Sequence, residues 1–150
     1  MSTTRVNAHL AAPRDAVYRA FTDPVIIARW RFPVGMTSEV EQLDDGNFRV
    51  TLTYDAPNAQ GKTTAHSDTY RARFERLVPG ELVVEVDEFE TDDPALAGAM
   101  TTTVTLRDAA GGTEVTAVHE GVPDGVPPEQ NEEGWRMALA RLAALLADGR

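Results

Sequence analysis

The stretch PPEQNEEGWRMALARLAALLADG, residues 127 to 149, has the length and periodicity of one long amphipathic helix. At about 100° per residue, Trp135, Ala138, Leu139, Leu142 and Leu146 fall on one apolar stripe, with Arg136, Arg141 and Asp148 off it. Gly149 stands where such a helix stops. A helix with a single apolar stripe needs a surface to lie on, so the fold turns on what comes before it.

What comes before it reads as strands. GMTSEVEQL and NFRVTLTYD flank DDGN, whose Asp45-Gly46 pair suits a tight hairpin. TTAHSDTYRARFERL alternates with period two and ends at the Pro79-Gly80 turn, and ELVVEVDEFE follows. AMTTTVTLRD and GTEVTAVHE are then joined by AAGG. Strands in series with short connections predict an antiparallel meander. TDDPALAG and EGVPDGVPPEQ read as the longer loops.

Further outward, TRVNAHLAA sets Val6, Ala8 and Leu10 against Arg5, Asn7 and His9, which is another half-buried strand. PRDAVYRAF, with Ala16, Val17, Ala20 and Phe21 on one side, is a short helix, and Asp23-Pro24 caps a second one over VIIARW that Pro33 stops. The expected fold is α+β: a curved antiparallel sheet of about seven strands wrapped round the long C-terminal helix, with two short helices after the first strand. Residues 1–150 are expected to form one domain. One helix is too narrow to fill the concave face of such a sheet, so a space should remain between them.

Composition bounds the partners. The 14 basic and 24 acidic residues give a net charge of −10, and no basic stripe is present. Nucleic acid and anionic membrane surfaces are therefore not expected as partners. With no cysteine, disulfides, thiolate chemistry and cysteine zinc sites are excluded. The first residues do not read as a secretory signal and no run reaches membrane-spanning length, so a cytoplasmic protein is expected. The sequence holds no P-loop, dinucleotide fingerprint, nucleophile elbow or HExxH, and no cofactor or metal is expected.

Strand parity selects side chains that should face the helix. If Ala72 and Phe74 point inward, so do Tyr70, Asp68 and His66; Val115 and Ala117 carry His119 inward. Phe48, Val50, Leu52 and Tyr54 form one further inner face, and Met100, Thr102, Val104 and Leu106 another. The candidate ligand-binding residues are Trp30, Phe48, Tyr54, His66, Asp68, Tyr70, His119, Trp135 and Leu139. Each has a plainer reading. His66 and Asp68 near a strand end would sit in water, His119 would be a core histidine satisfied by a carbonyl or hydroxyl, and the two tryptophans would be core. Arg29 and Arg31 beside Trp30 could pair with an anionic headgroup, and their plainer reading is a solvated face, which is the one expected.

Three motifs in this order, APRDAVYRAFTDPVIIARW at 12–30, GTEVTAVHEG at 112–121 and EGWRMALARLAALL at 133–146, resemble the START-like, polyketide-cyclase-like (SRPBCC) superfamily. Within it they are similar to the branch named after the activator of the heat-shock-protein ATPase. The resemblance spans essentially the whole chain and implies a helix-grip fold holding a small hydrophobic or amphipathic molecule. It also implies two alternatives: a cyclase, dehydratase or hydrolase acting through His66, Asp68, Tyr70 and His119, and a stress-related, chaperone-associated role. Where the branch commonly has a second aromatic after the tryptophan, this chain has Arg31, and the usual apolar position of the last strand is only Ala117. Exposed strand edges would also allow pairing with a second copy.

Overall fold

The computed structural model describes residues 2–32, 36–43, 47–54, 67–91 and 94–147. Asp45-Gly46, Pro33, His66 and Gly149, together with the side chain of Tyr54, lie outside the described residues. The chain runs β1 (Ser2–Leu10), α1 (Arg14–Thr22), α2 (Pro24–Trp30), β2 (Met36–Gln42), β3 (Phe48–Tyr54), β4 (Ser67–Val78), β5 (Leu82–Phe89), β6 (Ala99–Ala109), β7 (Gly112–Val122) and α3 (Pro128–Ala147).

One seven-stranded sheet has the order β1-β7-β6-β5-β4-β3-β2, with every neighbouring pair antiparallel. It is the expected meander, with β1 added beside β7, and the curved sheet grips α3 in the helix-grip manner. Register shifts at Ser2/Thr4 and between Phe74 and Arg76 are bulges of the kind that increase local twist. The β4–β5 hairpin turns on Pro79 and Gly80, whose φ of 73° and the bond from Glu81 N to Val78 O match a turn needing glycine at its third position.

Local chemistry sets the helices. Asp23 ends α1, where its N–H bonds Arg19 O, and starts α2, where its side chain accepts from Val25 N at 3.0 Å with Pro24 in the first turn. Because one residue serves both ends, the two helices follow each other without a loop. Val17, Ala20, Phe21 and Trp30 then pack with Leu10, Val115, Leu139 and Leu142 in the main core. Ile27 packs on the other side with Phe48, Val50 and Ala72. Each large apolar side chain fully removed from water here contributes about 1.5–3 kcal/mol.

Candidate functional site

Strand register arranges the inner face in transverse rungs. Val6, Ala117, Val104 and Val83 are aligned neighbours across β1, β7, β6 and β5, and all four are buried and apolar. Two residues along, the next rung is Thr4, His119, Thr102 and Glu85, all at most 3% exposed. Beyond it Met100 pairs with Asp87, then Phe89 with Tyr70, and Leu52 with Asp68. The inner face thus passes from apolar core through a buried polar rung to a mixed end. Such a rung is held only where its members find partners, since an unmet buried polar group costs about 1–3 kcal/mol.

His119 meets part of that need within the rung. Its Nδ1 lies 2.9 Å from Thr4 Oγ1, which also accepts from Asn131 Nδ2 of α3 at 2.7 Å. Thr4 Oγ1 thus links the His119 ring to α3, and that ring lies 4.6 Å between centroids from Trp135. Burial, followed by the charge on Arg31, lowers the His119 pKa from 6.5 to about 4, against a smaller opposing pull from Glu85. The ring is neutral under ordinary conditions.

The rest of the need converges on Arg31. It stands at the C-cap of α2, and its side chain is 7% exposed, not solvated as expected from its place beside Trp30; Arg29 is exposed. The guanidinium lies 4.8 Å from the ring centroids of both Trp30 and Trp135 and 5.9 Å from that of Phe21. Nη1 donates to Glu85 Oε2 at 3.3 Å. Burial works against the charge, but Glu85, Tyr70 and Asp87 outweigh it and hold the guanidinium above its ordinary value. The aromatic faces add cation–π attraction of about 0.5–2 kcal/mol each.

Asp87 completes the cluster as an acid. Burial first and the neighbouring Glu85 second push its carboxyl well above the usual range, with Arg31 pulling the other way, and the two carboxyls are hydrogen-bonded to each other. Burial, then the Asp87 charge, likewise raises the Tyr70 phenol well above its ordinary value, against Arg31. Among the described residues, the buried side-chain atoms without a hydrogen-bond partner are Arg31 Nε, Asp87 Oδ1, Thr102 Oγ1 and His119 Nε2. All four belong to this rung, its neighbour, or the arginine that faces them.

A cavity of about 290 Å³ opens at this end between α3 and strands β3 to β6. Phe32, Leu52, Phe89, Met100, Trp135 and Ala138 supply apolar wall, and Arg31, Asp68, Tyr70, Asp87 and Arg141 supply polar groups. Gly134 and Ala138, one turn apart on α3, have too little side chain to fill the space below the helix. Of the residues singled out from sequence, Asp68, Tyr70 and Trp135 line this cavity. Asp68 is 1% exposed, so the expectation of a carboxylate in water does not hold; its place opposite Leu52 turns it inward. His119 is the core histidine bonded to a hydroxyl and does not line the cavity; Trp135, which its ring meets, and Asn131, which it reaches through Thr4, do.

Trp30, Phe48 and Leu139 lie in the packed core and do not line the cavity. Trp30 Nε1 donates to Ala20 O at 3.0 Å and its ring meets Phe21 edge-on at 5.0 Å, which ties it under the helices. Arg141, placed off the apolar stripe by its helical angle, instead lines the cavity and donates from Nε to Trp30 O at 3.0 Å. Glu85, Asp87, Arg31 and Arg141 were not among the sequence candidates. The pairing of Glu85 with Thr102 finds the first two, once β6 has its face, and Arg31 had one signal in the arginine standing at an aromatic's place. Among the described residues no three of His, Asp and Glu gather closely enough to hold a metal ion, and no helix is long and apolar enough to cross a membrane.

Residues 11–147 match the family model of activator of Hsp90 ATPase homolog 1-like proteins. A Chromobacterium violaceum protein of known crystal structure is 34% identical, with 97% of each chain covered and a TM-score of 0.82. A Silicibacter pomeroyi protein of the same family name is 16% identical, with 99% of this chain and 100% of that one covered and a TM-score of 0.77. A protein of the dynemicin biosynthetic locus, 22% identical, is covered over 49% of its length by all of this chain, with a TM-score of 0.66. No curated protein matches the chain. With strand order, grip helix and sequence in agreement over nearly its whole length, the chain belongs to the family of activator of Hsp90 ATPase homolog 1-like proteins.

Proposed function

We propose that this protein binds a small hydrophobic or amphipathic molecule in the cavity between the sheet and α3. The observation that carries the reading is the cavity of about 290 Å³ with apolar walls and a few polar groups among them. That is the usual composition of a small-molecule site, in which area gives affinity and the polar groups give orientation. The buried Arg31, Glu85 and Asp87 cluster supports it, because fixed charges backed by two indoles are preorganised before any ligand arrives.

Trp135 lines the cavity, so its fluorescence is the natural signal. Titration with 8-anilinonaphthalene-1-sulfonate and with neutral alcohols of graded chain length is expected to give saturable one-to-one changes. Ala138→Phe, which fills the space from the helix side, should abolish them while far-UV dichroism stays unchanged; Ala138→Leu gives a milder step if the larger ring perturbs folding. Wild-type protein that gives no saturable change with any probe overturns the reading.

A second reading, an enzyme of cyclase or dehydratase type, is favoured by one observation: a carboxyl that burial pushes well above the usual range, Asp87, and a phenol, Tyr70, both line the cavity. A group kept protonated by burial can donate to a carbonyl oxygen. In this reading Asp87 takes the acid role, and His119, closed off behind Trp135, takes none. Turnover of an aromatic polyketone that is lost in Asp87→Asn would support it, and equal turnover in that variant would remove it.

A further inference from the structure

Two arginines line the cavity, and only Arg31 is in an ion pair among the described residues. On the sheet side the carboxyls have partners: Glu85 is paired with Arg31 and hydrogen-bonded to Asp87, and Asp68, also engaged, is almost fully buried. On the helix side Arg141 is not answered. Among the described residues no carboxylate lies within ion-pair distance of it, and its one hydrogen bond, from Nε to the Trp30 carbonyl, fixes the plane of the guanidinium and leaves the terminal nitrogens unused. Burial alone acts on its pKa, lowering it, with no acid to restore it. In a chain carrying 24 acidic residues against 14 basic ones, a partly buried arginine with no acid partner among the described residues is a place where an anion can pair.

The helix face beneath supplies the remainder of a site. Gly134, Ala138 and Arg141 follow one another at helical spacing and all line the cavity, so about 10 Å of small side chains leads to the cation. We propose that the cavity takes an amphipathic anion, its apolar body lying over Gly134 and Ala138 against Leu52, Phe89 and Met100, and its carboxylate or phosphate head paired with Arg141. This rests on the ligand-binding reading above and adds the class of ligand. A guanidinium presents two parallel N–H donors to either oxyanion, which an alcohol or amine cannot use.

Calorimetric titration of the whole chain with decanoate, decyl phosphate, decanol and decylamine tests it. One or both anions should bind at least about tenfold more tightly than decanol, which corresponds to one charge-assisted contact. The order of the two anions separates a carboxylate source from a phosphate one. Arg141→Gln should bring the anions to the level of decanol and leave decanol unchanged, and Arg141→Lys, which keeps the charge without the fork, should fall between. Urea unfolding of each variant follows the contact with Trp30. Anions that bind no better than decanol, decylamine as the tightest probe, or an equal loss of all probes in Arg141→Gln would each overturn the assignment while leaving ligand binding intact. Failure of every probe on wild-type protein would instead remove the binding reading, and the assignment with it.

Discussion

A single arginine decides the character of the site. Arg31 is buried between Trp30 and Trp135 and compensated by Glu85, so removing it strands one carboxylate and an acid whose proton it had opposed. Arg31→Met should therefore destabilise the protein by about 3–5 kcal/mol at neutral pH, read from urea unfolding. Adding Glu85→Gln should return most of that loss, because the stranded charge goes with it; a double variant no more stable than the single one would contradict this account. His119 contributes a pH dependence of definite sign. Its folded pKa of about 4 lies below the unfolded value of 6.5, so the unfolded chain binds more protons between them. Stability from this residue is complete above about pH 6.5 and is lost as pH falls toward 4, by about 3 kcal/mol in all. Asp87, raised in the folded state, acts in the opposite direction, so the comparison is between wild type and His119→Gln across pH 7 to 4. The variant should lose the steeper part of the slope.

At the scale of elements, α3 and β5 show where sequence periodicity succeeds and where it misleads. The stripe Trp135, Ala138, Leu139 and Leu142 places α3 on the sheet as expected. Strand β5 runs the other way. Its alternation sets Leu82, Val84 and Val86 on one face and Val83, Glu85, Asp87 and Phe89 on the other, and apolar content favours turning the first set inward. Pairing with β6 turns the second set inward, opposite Val104, Thr102 and Met100. The fold tolerates two acids on its inner face because Arg31 arrives from another element, a long-range contact that no local pattern encodes. Gly134 is the converse case, a residue with no local reason. It sits inside a helix, where glycine costs about 1 kcal/mol relative to alanine, and a Cβ there would meet nothing within 4 Å. Gly134→Ala should raise stability by about 0.5–1 kcal/mol in urea unfolding. An unchanged or lowered midpoint would mean that the helix bends or approaches a neighbour at this point in a way its surroundings do not suggest.

For the whole molecule, architecture was legible because it is written in features of short range: turn glycines, a residue capping two helices, period-two runs and one amphipathic stripe. The cavity was legible as a consequence, a concave sheet gripping one narrow helix. Its lining was legible only in part, since Asp68 and Tyr70 follow from strand parity and Trp135 from the helical stripe, while Arg31, Asp87 and Arg141 depend on how separate elements meet. The net charge of −10 acts at this same scale and sets a test of how an anion would reach the site. At about 10 mM salt the field extends about 30 Å and repels an approaching anion; at about 0.1 M it is screened within about 10 Å. The pairing with Arg141 is local and partly buried, so it feels much less of that screening. Stopped-flow measurement of Trp135 fluorescence with decanoate should then give an association rate that rises with salt and a dissociation rate that changes little. Decylamine, attracted by the same field, should show an association rate that falls. An association rate for decanoate that falls as salt is added would mean that a local basic field around the mouth dominates the net charge, and Arg141 would then have to steer the anion as well as hold it.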